Sequence, residues 1–199
     1  MRAWLRTRSA WWALLAITLL PLASLVWRTW HDDLGANPAE TLIRATGDWA
    51  LRGLCLALAV TPLRWLLGWP EIARFRRMLG LMGFGYALLH LLCYALFDMA
   101  LDVGEIARDI AKRPFILVGF ITWLILLPLA ATSFNRAIRW LGAARWQMLH
   151  RAVYGAAALA VLHFWWMRSA KNNLGEPLLY GAIVALLLAW RWHKRLKNR

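Results

Sequence analysis

Apolar residues in this chain fall in runs of membrane length, separated by short polar stretches. A spanning helix needs about 20 mainly apolar residues, and six runs meet or approach that: 9–30, 48–67, 78–97, 115–131, 148–167 and 177–192. The fourth and sixth are the shortest. The pattern predicts an all-α fold: a polytopic membrane bundle of six transmembrane helices forming a single domain over residues 1–199. Two polar connections stand out, 31–46 and 98–112, both rich in acid. In the second, Val103, Ile106, Ala107 and Ile110 recur on one face, which predicts a short surface helix. The connection 133–147 mixes Arg136, Arg139 and Arg145 with Ile138, Trp140 and Leu141, the pattern of an amphipathic segment lying in the lipid interface.

Composition supports the membrane assignment, since 61% of the 199 residues are hydrophobic and only 17% are charged. Many of the 15 Trp lie near run ends (Trp11, Trp12, Trp27, Trp30, Trp69, Trp165, Trp166, Trp190, Trp192), as belt anchors do. A net charge of +14 suggests nucleic acid until it is sorted by side. With six spans and an inner N-terminus, 16 basic residues lie inside, including Arg74, Arg76, Arg77, Arg195 and Arg199. Eight lie outside, Lys171 among them, with every acid except Glu71. The positive-inside rule then puts both termini in the cytoplasm and removes nucleic acid as a partner. The first run is too long and Trp-rich for a cleaved signal peptide, and five more runs follow it. Cys55 and Cys93 fall inside separate apolar runs and indicate no disulfide framework.

Candidate chemistry lies in three histidines inside apolar runs: His90, His150 and His163. Intramembrane ionisable groups are costly, so each marks a functional site by default, and neutral imidazole is a favoured axial ligand for haem iron. His90 sits about 13 residues into the third run and His163 about 15 into the fifth, which places them at similar depth on parallel helices. Level histidines of that kind can clamp one haem. His150 lies about 20 Å below His163 by helix rise and would serve an inner site. No histidine matches it on the third run. Arg76, 14 residues before His90 and on the same helical face, can pair with a haem propionate. Thirteen residues separate His150 from His163, about 140° on an ideal helix, so a bend near Gly155 or two different neighbours is required. The alternative for any one of them is an interhelical hydrogen bond. His31 and His193, at run ends, read as solvated or interfacial.

Nothing hydrolytic is present: no Ser-His-Asp set at one depth, no phosphate-binding glycine loop, no His-Glu-x-x-His. Several stretches carry a specific resemblance: Asp33-Leu34-Gly35-Ala36-Asn37-Pro38, Arg76-Arg77-Met78-Leu79-Gly80-Leu81 leading to Leu89-His90, and Arg113-Pro114-Phe115. Leu129-Ala130-Ala131-Thr132-Ser133 and Trp146-Gln147-Met148-Leu149-His150-Arg151-Ala152-Val153-Tyr154 leading to His163 complete the order. Over essentially the whole chain this resembles the haem-binding membrane subunits of bacterial periplasmic methionine-sulfoxide reductase systems, in the ferric-reductase-like transmembrane family.

The resemblance implies a b-type haem carrier in the bacterial inner membrane, with FMN as a further cofactor of the family. Electrons would come from the quinone pool or a flavin donor and pass to a periplasmic molybdenum-cofactor methionine sulfoxide reductase, which would do the catalysis in repairing oxidised proteins. His90, His150 and His163 match the family's membrane histidines. Arg76 stands where the wider family usually has a fourth, so the haem count is one or two.

Two other functions compete. One is a self-contained ferric or quinone reductase of the same fold; the short basic tail ending at Arg199, with no appended flavin domain, favours the subunit reading. The other is a haem-free transporter or scaffold whose histidines only join helices. The basic inner segments around Arg74, Arg76, Arg136, Arg139 and Arg145 suit docking of a cytoplasmic flavin reductase, and the acidic outer loops suit a periplasmic partner.

Overall fold

The computed structural model describes residues 2–169 and 173–197, with the side chain of Arg195 excepted. Lys171 and Arg199, counted in the charge balance above, lie outside the described residues. The chain is all-helical, with no strand among the described residues. The helices are α1 (Arg8–Trp30), α2 (Pro38–Leu67), α3 (Arg76–Cys93), α4 (Val103–Lys112), α5 (Pro114–Ala131), α6 (Asn135–Leu141), α7 (Ala143–His150), α8 (Ala152–Ser169) and α9 (Gly175–Lys197).

Among the described residues four stretches are long and apolar enough to cross a membrane: α1, α2, Pro70–Asp98 around α3, and α5. The fifth and sixth predicted runs form α8 and α9, which are not among these four. Polar and interfacial side chains dilute both: His163, Trp165, Trp166 and Arg168 in α8, and Arg191, Trp192 and His193 in α9. Large apolar side chains such as Leu20, Val26, Leu66 and Leu186 are exposed, as lipid-facing positions are.

The second helix starts ten residues before the apolar run that announced it. Asn37 accepts a hydrogen bond from Glu40 N–H at 3.1 Å and Pro38 takes the first helical position, so most of the expected outer loop is helix. Gly68, in the left-handed region at φ 62°, closes its far end. The short helix expected in 98–112 is α4, and the basic segment 133–147 folds as α6 and the start of α7, with Gly142 (φ 76°) at the break.

The chain divides into two compact units, Met1–Asp102 and Val103–Arg199. In the first, α2 and α3 run antiparallel and touch backbone to backbone: a Cβ added to Gly53 would lie 2.6 Å from Gly83 Cα. Small residues at a membrane-helix crossing permit that approach and the dispersion contacts it brings. The start of α1 packs on this pair through a cluster of Ala10, Ala57, Val60, Phe75, Met78 and Leu79. Pro21 interrupts the α1 hydrogen-bond ladder nearby. There the Tyr86 hydroxyl donates to Thr18 C=O at 2.8 Å and accepts from Leu22 N–H at 3.2 Å, inserting itself into a helical i→i−4 pair. Arg6 reaches back to Glu71 at 2.6 Å, and Arg74 donates to the Leu5 and Arg6 carbonyls, so the N-terminal turn is stapled to the α2–α3 connection.

In the second unit α8 packs between α5 and α9. Ala156 and Ala157 are fully buried, Phe164 meets Tyr180 edge-on, and Arg191 lies over the Tyr154 ring at 5.3 Å. Trp146 Nε1–H donates to Thr132 C=O at 2.9 Å, tying α7 to the end of α5. The break between α7 and α8 falls at Arg151, whose carbonyl accepts a tight i→i−3 bond from Tyr154 N–H. That is four residues before Gly155, where the bend was expected. His150 and His163 lie on either side of Arg151, whose own backbone stays in the right-handed helical region (φ −68°, ψ −21°) and keeps its bond to the Gln147 carbonyl.

Candidate functional site

Each of the three histidines of the apolar runs is fixed through Nδ1. His90, on α3, has Nδ1 2.8 Å from the Ile43 carbonyl of α2. His163, on α8, has Nδ1 2.6 Å from the Phe115 carbonyl of α5. His150 reaches its own helix, with Nδ1 3.0 Å from the Trp146 carbonyl. A carbonyl oxygen only accepts, so in each ring Nδ1 carries the proton and Nε2 the lone pair. That is the tautomer a metal-ligating imidazole needs, and a carbonyl on the other nitrogen raises its basicity.

His90 and His163 share a second feature. Opposite each ring, on the neighbouring helix, stands a glycine four residues after the carbonyl that receives the hydrogen bond. A Cβ on Gly47 would lie 3.0 Å from both Cε1 and Nδ1 of His90. One on Gly119 would lie 2.8 Å from the same two atoms of His163. The 2.8 Å contact is shorter than side chains tolerate and the 3.0 Å contact would oblige the ring to give way, so each imidazole lies against bare backbone. The Phe115 ring flanks the His163 ring at 6.3 Å between centroids and 28° between planes.

His150 lacks that arrangement and leans on Trp146, with ring centroids 3.8 Å apart. His31 does the same with Trp27, at 3.9 Å, and bonds the Trp27 carbonyl. The two form a local i−4 motif that any helix can make. The structure thus separates the histidines into a cross-helix class, His90 and His163, and an intrahelical class, His150 and His31.

Arg76 is the exposed first residue of α3, one helical face with His90 but about 21 Å away by rise. Cys55 and Cys93 are free thiols. Among the described residues no three His, Cys, Asp or Glu side chains converge as a metal cage. The donor set is single imidazoles. Such a set suits a metal that arrives with most of its ligands, as haem iron does in its porphyrin.

Reading the sequence alone missed Ile43, Gly47, Phe115 and Gly119. The carbonyls have no signature in side-chain chemistry. The glycines did carry one, since a mid-helix Gly costs about 1 kcal/mol against Ala and asks for a reason. In a membrane helix, however, close helix contact is the commoner reason.

Comparison with known proteins agrees with this architecture. The family model for the ferric reductase like transmembrane component matches residues 46–161. The protein-methionine-sulfoxide reductase heme-binding subunit MsrQ of Polaromonas naphthalenivorans is 56% identical, over 100% of this chain and 94% of its own. The subunits of the same name from Herminiimonas arsenicoxydans (50% identical, 90% of this chain and 84% of theirs) and Xanthomonas campestris (47%, 92% and 86%) are also similar. No solved structure matches. With several apolar helices of spanning length, it is a multi-pass membrane protein. On the matched domain and these identities across nearly the whole length, the chain belongs to the ferric-reductase-like transmembrane family and, within it, to the MsrQ heme-binding subunits.

Proposed function

We propose that this chain is a haem b electron-transfer subunit of the inner membrane. In this reading it has six spans with both termini cytoplasmic, and it feeds a periplasmic molybdenum-cofactor reductase that repairs methionine sulfoxide. The observation that carries it is the pair of cross-helix imidazoles, His90 and His163, each with Nδ1 held by a carbonyl of the neighbouring helix. Both residues would hold haem iron through Nε2. The names of the relatives supply the haem and the sulfoxide reductase system.

Bound haem b supplies reversible one-electron transfer without substrate chemistry of its own. The chain's residues then have a narrow task. Ile43 and Phe115 hold the ring protons on Nδ1 and so keep Nε2 directed outward as ligand. His150, in its intrahelical setting, would hold an inner haem where the count is two. Arg76, a fixed cation at the start of α3, would pair with a haem propionate. The excess of Arg and Lys assigned to the inner side supports the orientation. Electrons reach the subunit from the quinone pool or from a flavin, FMN being the flavin implied by family resemblance. A cytoplasmic flavin reductase, docking on the basic inner segments, is the second possible donor.

The test is the reduced-minus-oxidised spectrum of purified protein, with haem quantified per chain, for wild type, His90→Ala, His163→Ala and His150→Ala. A six-coordinate b-type signal lost with His90 or His163, and partly reduced with His150, is the expected result. Absence of haem in the wild type, or indifference to all three substitutions, would overturn the reading in favour of structural histidines.

A further inference from the structure

The two cross-helix histidines are held by the same three-part seat, built twice. In the first unit its parts are the Ile43 carbonyl, Gly47 four residues later on the same helix, and His90. In the second they are the Phe115 carbonyl, Gly119 four residues later, and His163. The histidine follows its carbonyl by 47 residues in one unit and 48 in the other, and in both the helices run antiparallel. The repetition is specific to these two histidines: His150 and His31 use a carbonyl of their own helix and a Trp ring.

Residues i and i+4 of a helix lie one above the other on the same face. A carbonyl at i and a glycine at i+4 therefore present an acceptor and a flat gap side by side. The imidazole needs both. The gap lets the ring come close enough for Nδ1–H to reach the carbonyl; a methyl in the gap, 2.8–3.0 Å from Cε1 and Nδ1, would push it away from that acceptor.

We propose that Gly47 and Gly119 are positioning residues for the axial ligands, setting through the ring–carbonyl hydrogen bond both the aim and the electron-donating strength of Nε2. The proposal rests on the haem reading above. Losing the Nδ1–H···O=C bond makes the imidazole a poorer donor. The ferric state, which draws more on donation, is destabilised, so the midpoint potential rises. Misaimed, Nε2 would hold the iron less firmly, which would read as a high-spin fraction. Because the seat is repeated, the same change in either unit has the same sign.

The experiment compares optical and EPR spectra and midpoint potential of purified Gly47→Ala and Gly119→Ala with three reference variants. Gly85→Ala and Gly155→Ala place a methyl where nothing lies within 4 Å. Gly53→Ala disturbs the same α2–α3 contact away from the histidine. The expected result is a new high-spin fraction and a raised potential in the first two variants, unchanged spectra at Gly85 and Gly155, and at Gly53 a lower melting temperature without a change of spin state. Wild-type spectra at both Gly47→Ala and Gly119→Ala would overturn the proposal, as would a Gly53→Ala spectrum altered to the same extent. Should either seat variant fail to accumulate, ¹⁵N-histidine NMR of the reduced wild type decides: hydrogen-bonded Nδ1–H signals from His90 and His163 support the seat, and their absence removes it. His90→Ala and His163→Ala separate the two levels. Haem retained in both defeats the haem reading and the seat together; haem lost there with native spectra in the glycine variants defeats the seat alone.

Discussion

The helix pairs α2–α3 and α5–α8 hold a histidine in the same way, yet they are held together differently. In the first, Gly53 and Gly83 bring the two backbones into contact and Tyr86 ties in a third helix by bridging the Pro21 break in α1. In the second, the buried contacts come from Ala156, Ala157 and Phe164, with aromatic and cationic groups from α9 around them. What recurs is the imidazole seat, and what varies is the surrounding packing. Constraint sits at the imidazole, and each pair meets it with its own means.

That contrast can be broken most severely at the glycine crossing. Gly53→Leu would force apart backbones that leave no space for even a Cβ. The cost exceeds the ~1–3 kcal/mol usual for overpacking, read as a collapse of the melting temperature in detergent, whereas Gly155→Leu, facing open space, should melt near wild type. A second, smaller effect separates the histidine classes. His163→Ala should remove more haem per chain than His150→Ala, because only the former empties a cross-helix seat; equal losses would mean that the two classes are functionally alike. Third, Tyr86→Phe deletes the hydroxyl that bridges Leu22 N–H and Thr18 C=O. A cost of about 1–2 kcal/mol is expected from leaving part-buried backbone groups unmatched, without loss of haem, read as a lowered melting temperature at constant Soret intensity. The smallest effect is expected at the N-terminal staple. Arg6→Ala should quicken proteolysis of the first residues and lower the melting temperature slightly, since Arg6 is largely exposed but the Glu71 side chain it pairs with is nearly buried.

Much of this was legible along the chain. The apolar runs announced the helices because burial in lipid requires length and leaves no alternative for the backbone. The three histidines stood out because an imidazole in an apolar run is expensive. The amphipathic period of Val103, Ile106, Ala107 and Ile110 placed α4 correctly. The early start of α2 was also readable in principle, since Asn37-Pro38 followed by Glu40 is a helix-start signature. It was masked by the polar character of residues 38–47, which looked like loop.

Other features had no linear trace. The interruption between α7 and α8 falls at Arg151 rather than at Gly155, and residue type does not mark it. The division of the histidines into two classes depends on which carbonyl each Nδ1 finds, and for His90 and His163 that carbonyl lies more than forty residues away. By itself the sequence determined that this is a helical membrane protein with imidazoles in its apolar runs, because hydropathy and side-chain identity are properties of single positions. Only the tertiary structure decided which imidazoles are seated across helices and which glycines make room for them. A hydrogen bond to a backbone carbonyl and a gap beside a ring exist only once two helices have met.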